Sequence, residues 1–131
     1  RAVRRGVDVR LLVPVVSDSA IVDYASQSFF TLALKSGIKI YRYPAPLIHA
    51  KTGIVDGTWA MAGSMNLDNR SFKFSYEGNI VTTDPACVAE LEKHFFDDIA
   101  KSEELHLDVW QKRLFLHKFF EILIWPIHWL L

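Results

Sequence analysis

The chain has 131 residues, and its 15 lysines and arginines balance 15 aspartates and glutamates to a formal net charge of zero. This length is sufficient for one domain with a buried core. The absence of a basic excess argues against a nucleic-acid-binding protein, and a single cysteine excludes an internal disulfide.

Strands and helices are predicted to alternate along the chain. Hydrophobic runs ended by proline, glycine or aspartate predict the strands, and capping residues before a helical period predict the helices. The predicted strands are residues 7–13, 38–43, 48–55, 58–62 and 77–83, and the predicted helices begin after residues 17–19 and at Asp84-Pro85. This succession predicts the α/β class.

A hairpin is predicted in the middle of the chain, where Asp56-Gly57 separates two strands. This dipeptide favours a two-residue turn, which would pair Val55 with Thr58. Counting back from the turn gives two further opposed pairs, Lys51 with Ala62 and His49 with Ser64.

This register gathers polar side chains on one face of the hairpin. The predicted set is His49, Lys51, Ser64 and Asn66. Gly53, Ala60 and Ala62 are predicted to line the same face, and their small size would leave room for a ligand.

Two carboxylates near this set receive different predicted roles. Asp56 lies in the turn, about 16 Å from Lys51 at roughly 3.3 Å per residue, so its role is predicted to be structural. Glu77 opens a later strand. It would reach His49 if that strand lies beside the hairpin.

These residue types suit chemistry on a phosphate group. Lys51, Ser64 and Asn66 offer hydrogen bonds, and the ammonium adds positive charge. His49 can act as a nucleophile or as a general acid and base. Since no histidines, cysteines or carboxylates have the spacing of a metal site, the predicted chemistry needs neither a metal nor a cofactor.

The pattern His49-x-Lys51-x4-Asp56-x6-Gly63-Ser64-x-Asn66 resembles the HKD motif of the phospholipase D superfamily. Residues 63–72 resemble more specifically the second HKD motif of bacterial cardiolipin synthases, and residues 5–14 and 37–41 resemble the same family. The resemblance implies a phospholipase D-like mixed β-sheet flanked by helices, forming one HKD half-domain.

The resemblance also implies residue roles. His49 and Lys51 would contact the substrate phosphate beside Ser64 and Asn66, and Glu77 matches the carboxylate that orients the histidine. His49, Lys51 and Glu77 are therefore the catalytic candidates. Asp56 and Gly63 are structural parts of the motif.

The implied reaction transfers a phosphatidyl group between two phosphatidylglycerol molecules through a phosphohistidine and releases glycerol. Because family enzymes carry two HKD motifs and this chain carries one, it resembles a C-terminal half. Its expected partners are anionic phospholipid, a second HKD half-domain and the bacterial cell membrane surface, without nucleic acid. The missing half would supply the nucleophile and His49 the general acid and base.

Two other functions remain open from the sequence. One is a homodimeric phosphodiesterase of the same superfamily, a nuclease or a phospholipase D with one motif in each chain. The other is a non-catalytic membrane-interaction domain that retains the motif.

The domain is predicted to cover residues 1–113, followed by a hydrophobic tail at residues 114–131. Charged residues and Pro126 interrupt the tail, which makes it a poor membrane span. Trp125 and Trp129 favour an interfacial location, and packing against protein is the alternative.

Overall fold

The computed structural model describes residues 1–16, 20–44 and 48–113. The predicted helix cap at residues 17–19 and the predicted tail at residues 114–131 lie outside the described residues. The described residues form two compact units, the first from the ranges 1–48 and 102–113 and the second from residues 49–101.

The described residues contain six strands and four α-helices, which confirms the predicted α/β class. The strands are β1 (Arg10–Pro14), β2 (Lys39–Tyr43), β3 (Thr52–Val55), β4 (Trp59–Gly63), β5 (Asn79–Thr82) and β6 (Glu103–Glu104). The helices are α1 (Ala20–Lys35), α2 (Asn69–Phe74), α3 (Pro85–Ala100) and α4 (Leu107–Gln111). The sequence did not predict α2, β6 or α4, all of which have six residues or fewer.

The first unit contains a mixed three-stranded sheet in the order β1-β2-β6. β1 runs parallel to β2, and β2 runs antiparallel to β6. Phe30, Ile40 and Trp110 form its buried core. The Trp110 indole N–H donates to Thr31 Oγ1 at 3.1 Å, so this buried polar atom is satisfied.

Charges at the start of this sheet are arranged around Asp8. Arg10 and Lys39 are opposed in the β1–β2 register, and both contact the Asp8 carboxylate, at 2.6 Å and 3.1 Å. Hydrogen bonds from Arg10 and then Lys39 lower the pKa of Asp8. The carboxylate therefore offsets the repulsion between two cations on neighbouring strands.

The second unit contains an antiparallel three-stranded sheet in the order β3-β4-β5. α3 packs against β3 and β4, and Ala60 and Val88 have no solvent exposure. The first sheet therefore has the mixture of parallel and antiparallel strands that the resemblance implies. The described strands form two sheets of three strands each.

α3 begins where the sequence predicts, at Asp84-Pro85. The Asp84 carboxylate accepts a hydrogen bond of 2.9 Å from the Cys87 backbone N–H. Proline suits the first helical position because it has no N–H to leave unpaired. The same Cys87 N–H lowers the pKa of Asp84.

Replacing Asp84 with alanine is expected to lower the melting temperature, because the first turn of α3 loses its cap. Asp84→Asn keeps an acceptor oxygen and should lose much less. The pKa of Asp84 in the folded state lies below 3.8. The stability that the ionised Asp84 carboxylate contributes is therefore fully present above pH 3.8, and it is lost as the pH falls through the folded-state pKa. Thermal unfolding, followed by circular dichroism at several pH values, measures the melting temperature of each variant. Equal melting temperatures of the two variants would contradict the role of Asp84 as a cap.

Candidate active site

One end of the second sheet brings the sequence-predicted site residues together. Since the strands are antiparallel, the start of β3, the end of β4 and the start of β5 meet at the same end. His49 and Lys51 precede β3, Ser64 and Asn66 follow β4, and Glu77 precedes β5. All five therefore belong to the short irregular segments at this end of the sheet.

The hairpin turn differs from the prediction by one residue. Val55 pairs with Trp59, so the turn contains Thr58 as well as Asp56 and Gly57. Thr58 joins the turn because its backbone N–H and its hydroxyl both donate to the Val55 carbonyl, at 3.0 Å and 3.3 Å. Asp56 and Gly57 have φ values of +50° and +61°, which turn the chain within these three residues.

The extra turn residue changes which side chains share a face, because side chains alternate along a strand. Gly53 lies opposite Met61, while Ala60 and Ala62 pair with Ile54 and Thr52. The predicted low surface of Gly53, Ala60 and Ala62 is therefore wrong, since the two alanines belong to the other face of the sheet.

The register also separates two residues that were predicted to be opposed. The carbonyl of Lys51 accepts from the Gly63 N–H at 3.0 Å, which makes Gly63 the neighbour of Lys51. The predicted pairing of His49 with Ser64 is therefore wrong. The site residues converge through the strand ends rather than through a shared strand face.

His49 and Lys51 form a hydrogen-bonded pair at the start of the hairpin. The Lys51 ammonium lies 3.0 Å from His49 Nδ1 and 2.8 Å from the His49 carbonyl oxygen. An ammonium group only donates, so Nδ1 accepts in this geometry. The neutral imidazole then carries its proton on Nε2, and His49 is exposed to solvent.

Ser64 and Glu77 form the second pair of the site. The Ser64 hydroxyl donates to Glu77 Oε2 at 2.5 Å and accepts from the Gly78 N–H at 3.0 Å. β5 does lie beside the hairpin, as the prediction required. Within the part of the chain that the structure describes, however, no hydrogen bond joins Glu77 to His49, and the carboxylate is bound to Ser64 instead.

The remaining two polar candidates, Asn66 and Asp56, belong to neither hydrogen-bonded pair. Asn66 is exposed, and its amide makes no hydrogen bond to the described residues. Asp56 lies in the turn at the opposite end of β3, which confirms its predicted separation from the cluster.

Sequence reasoning missed two features of the segment that joins Ser64 to Glu77. α2 begins after Asp68, whose carboxylate accepts from the Ser71 N–H at 2.7 Å. An aspartate three residues before serine was an available signal for this cap. Gly78, which binds Ser64 through its backbone, carried no signal beyond its position after Glu77.

Gly63 allows β4 and β5 to approach closely beside the site. A Cβ atom at this position would lie 2.5 Å from the Gly78 carbonyl oxygen and 2.7 Å from Asn79 Cα, and would also collide with the Asn79 side chain. Backbone atoms cannot move aside as a flexible side chain can. Glycine is therefore required at the point where Ser64 enters the site.

The described residues have neither a metal-binding cluster nor a membrane-spanning helix. No group of three or more histidines, cysteines and carboxylates there is placed to hold a metal ion. None of the helices in residues 1–16, 20–44 and 48–113 combines the length and apolar character needed to cross a bilayer.

The family model described as cardiolipin synthase, PLD-like domain, matches residues 1–99. The chain belongs to this family. The match covers both pairs of the site, His49 with Lys51 and Ser64 with Glu77.

Two curated relatives of the chain are named as cardiolipin synthases. The chain is 41% identical over 120 residues to cardiolipin synthase A of Proteus mirabilis, and 41% identical over 104 residues to the probable cardiolipin synthase YwiE of Bacillus subtilis. These matches cover 92% and 79% of this chain. The chain spans only 25% and 21% of the length of those two relatives.

A solved structure has the same fold. It is the crystal structure of Nuc, a phospholipase D family member from Salmonella typhimurium, with a TM-score of 0.66 and 22% sequence identity. The alignment covers 80% of this chain and 68% of that one. This likeness supports the phospholipase D-like fold that the motif predicts.

Gly63→Ala is expected to destabilise the second unit by about 1–3 kcal/mol, because its Cβ would collide with the backbone of β5. Gly53→Ala is the matched control on the neighbouring strand, where a Cβ meets only Trp59 and Met61 side chains at 3.9 Å and 4.0 Å. Chemical denaturation of both variants measures the difference. Equal stability losses would contradict the close approach of the two strands.

Proposed function

We propose that this chain is the C-terminal catalytic half of a cardiolipin synthase, which transfers a phosphatidyl group from one phosphatidylglycerol to another and releases glycerol. The membership of its family and the names of its relatives support this reaction class. The observation that carries the proposal is the pairing of His49 with Lys51 beside Ser64 and Asn66 at one end of a sheet.

His49 acts in this proposal as the general acid and then as the general base. The general acid is the imidazolium form of His49. Its Nδ1 therefore releases the hydrogen bond from Lys51 and takes up a proton, and the Nε2 proton is then transferred to the departing oxygen, which leaves the neutral ring. The histidine of a second HKD half-domain attacks phosphorus, the bond from phosphorus to the glycerol oxygen breaks, and His49 protonates that oxygen.

The second half of the reaction reverses these roles. His49 Nε2, now without its proton, accepts the proton from a hydroxyl of the second phosphatidylglycerol. That oxygen attacks phosphorus, the phosphorus–nitrogen bond of the phosphohistidine breaks, and the product is cardiolipin. One histidine cannot perform both attack and protonation, because these occur on opposite sides of phosphorus.

Lys51 and Asn66 are the proposed donors to the phosphate. The Lys51 ammonium uses two of its N–H groups on His49, so the third is available for a phosphate oxygen. The Ser64 proton is directed at Glu77, so Ser64 would bind phosphate only after its hydroxyl leaves that carboxylate. Glu77 is therefore proposed to act by positioning Ser64.

The proposal includes three partners of the chain. The substrate is an anionic phospholipid, so the enzyme works at the surface of the bacterial cell membrane. The second HKD half-domain comes from an N-terminal half or from a second copy of this chain. The Lys51 ammonium offsets the negative charge of the phosphate and the Asn66 amide donates to it, so the proposed mechanism uses no divalent ion.

Substitution of the site residues tests these assignments in the chain paired with a second HKD half-domain. His49→Ala should lower phosphatidyl transfer by at least about 10²–10⁴-fold, the usual contribution of a general acid. Glu77→Gln should reduce transfer strongly, since Ser64 loses its charged acceptor. Asp56→Asn is the matched control, because the same atomic change falls at the far end of β3.

The assay measures cardiolipin formation from phosphatidylglycerol in detergent micelles, and circular dichroism verifies folding of each variant. A folded Asp56→Asn variant without turnover, together with a normal Glu77→Gln variant, would reverse the roles of the two carboxylates.

The chain alone is expected to be a poor catalyst, because it contains one HKD motif. Transfer should rise when an N-terminal half-domain with a second motif is co-expressed. Size-exclusion chromatography coupled to the assay separates the possibilities. Full activity of a monomer would refute the two-motif mechanism, while activity confined to a homodimer would favour a single-motif phosphodiesterase.

A further inference from the structure

The first unit contains a cleft of about 440 Å³ whose lining residues all belong to that unit. This volume is within the usual range of small-ligand sites. Arg42, Lys112 and Arg113 supply three positive charges to the lining, and Glu103 supplies one negative charge. The chain as a whole has a formal net charge of zero, so positive charge is concentrated here.

Arg42 has unused donor capacity at the cleft. Its Nη2 donates to the Val15 carbonyl at 2.8 Å, while its buried Nε has no acceptor among the described residues. Glu103 is opposed to Arg42 in the β2–β6 register, yet no ion pair within 4.0 Å joins their side chains in the described structure. A guanidinium with unfilled donors is suited to an anionic ligand.

The aromatic part of the lining is held in place by the core of the unit. Trp110 is 5% exposed, held by its hydrogen bond to Thr31 and by its ring contact with Phe30 at 5.5 Å. The Arg113 guanidinium lies 4.0 Å from the Trp110 ring centroid, and its Nη1 donates to the Trp110 carbonyl at 2.9 Å. Leu105 extends the apolar side. The Arg113 guanidinium therefore lies on a fixed aromatic surface.

We infer that this cleft binds a phosphate ester that carries a hydroxylated headgroup. The three cations match the phosphate, and the Glu103 carboxylate can accept a hydrogen bond from a hydroxyl of the headgroup. The carboxylate also disfavours ligands that carry only negative charge. The inference does not depend on the proposed transferase activity, since it uses none of the residues placed in the active site.

Binding to the 131-residue chain, without any activity assay, tests the inference. The probes are sn-glycerol 3-phosphate and inorganic phosphate, followed by isothermal titration, and vesicles of phosphatidylglycerol or phosphatidylcholine, followed by co-sedimentation. Lys112→Gln should weaken binding by about fivefold, the effect expected for one cation at an anionic surface. Lys93→Gln is the control, because it removes the same charge from α3 in the other unit.

The two kinds of probe separate the sources of the phosphate. Weaker binding of both glycerol 3-phosphate and anionic vesicles by Lys112→Gln supports recognition of the phosphate ester itself. A loss confined to vesicles supports a lipid headgroup, and a loss confined to the soluble ester supports a free metabolite. Equal behaviour of Lys112→Gln and Lys93→Gln with every probe, or no binding by the unmodified chain, overturns the inference.

A third variant tests the role of the carboxylate. Glu103→Gln should strengthen binding of inorganic phosphate, because a repelling charge is removed. It should also reduce the preference for glycerol 3-phosphate over inorganic phosphate, because the amide is a weaker acceptor for the hydroxyl. An unchanged preference would remove the hydroxylated headgroup from the inference.

Discussion

The close approach of β4 to β5 at Gly63 is the constraint on which the candidate active site depends. Gly63 donates to the carbonyl of Lys51 on one side and leaves no room for a Cβ beside Gly78 and Asn79 on the other. Three strands are thereby joined within one or two residues of their ends. The segments that carry the polar side chains begin where the hydrogen bonds between β3, β4 and β5 end. The strand pairing therefore determines where these segments lie.

Two hydrogen-bonded pairs divide the tasks at this end of the sheet. The ammonium of Lys51 determines which imidazole nitrogen of His49 holds the proton, and the carboxylate of Glu77 holds the hydroxyl of Ser64. The first pair supplies positive charge and an imidazole that can take up a proton and later release it. The second pair ties the end of β4 to the start of β5. In this site, the hydrogen bonds between the strand backbones fix the positions of the strand ends, and the polar side chains lie on the segments next to those ends.

The two compact units differ in how they hold charge. In the first unit, Asp8 forms ion pairs with both Arg10 and Lys39, whereas Arg42, Lys112 and Arg113 line a cleft with a single carboxylate. In the second unit, Lys51 is bonded to an imidazole and a carbonyl rather than to a carboxylate. Each unit therefore holds cations beside groups other than a paired carboxylate: a cleft lining in the first unit and an imidazole in the second.

The sequence by itself determined the family and the α/β class, because these depend on local motifs and on hydrophobic periodicity. The roles of the site residues stay a prediction from the motif. The sequence also placed the cap of α3 at Asp84, which depends on residues within one turn, and separated Asp56 from the site, which depends on the length of strand between Asp56 and Lys51. The register of the hairpin required the tertiary structure. Thr58 entered the turn through two hydrogen bonds to Val55, and one added residue moved Ala60 and Ala62 to the other face. Only the fold decided that Glu77 binds Ser64 rather than His49, because that choice depends on how β5 pairs with β4 across a separation of 13 residues.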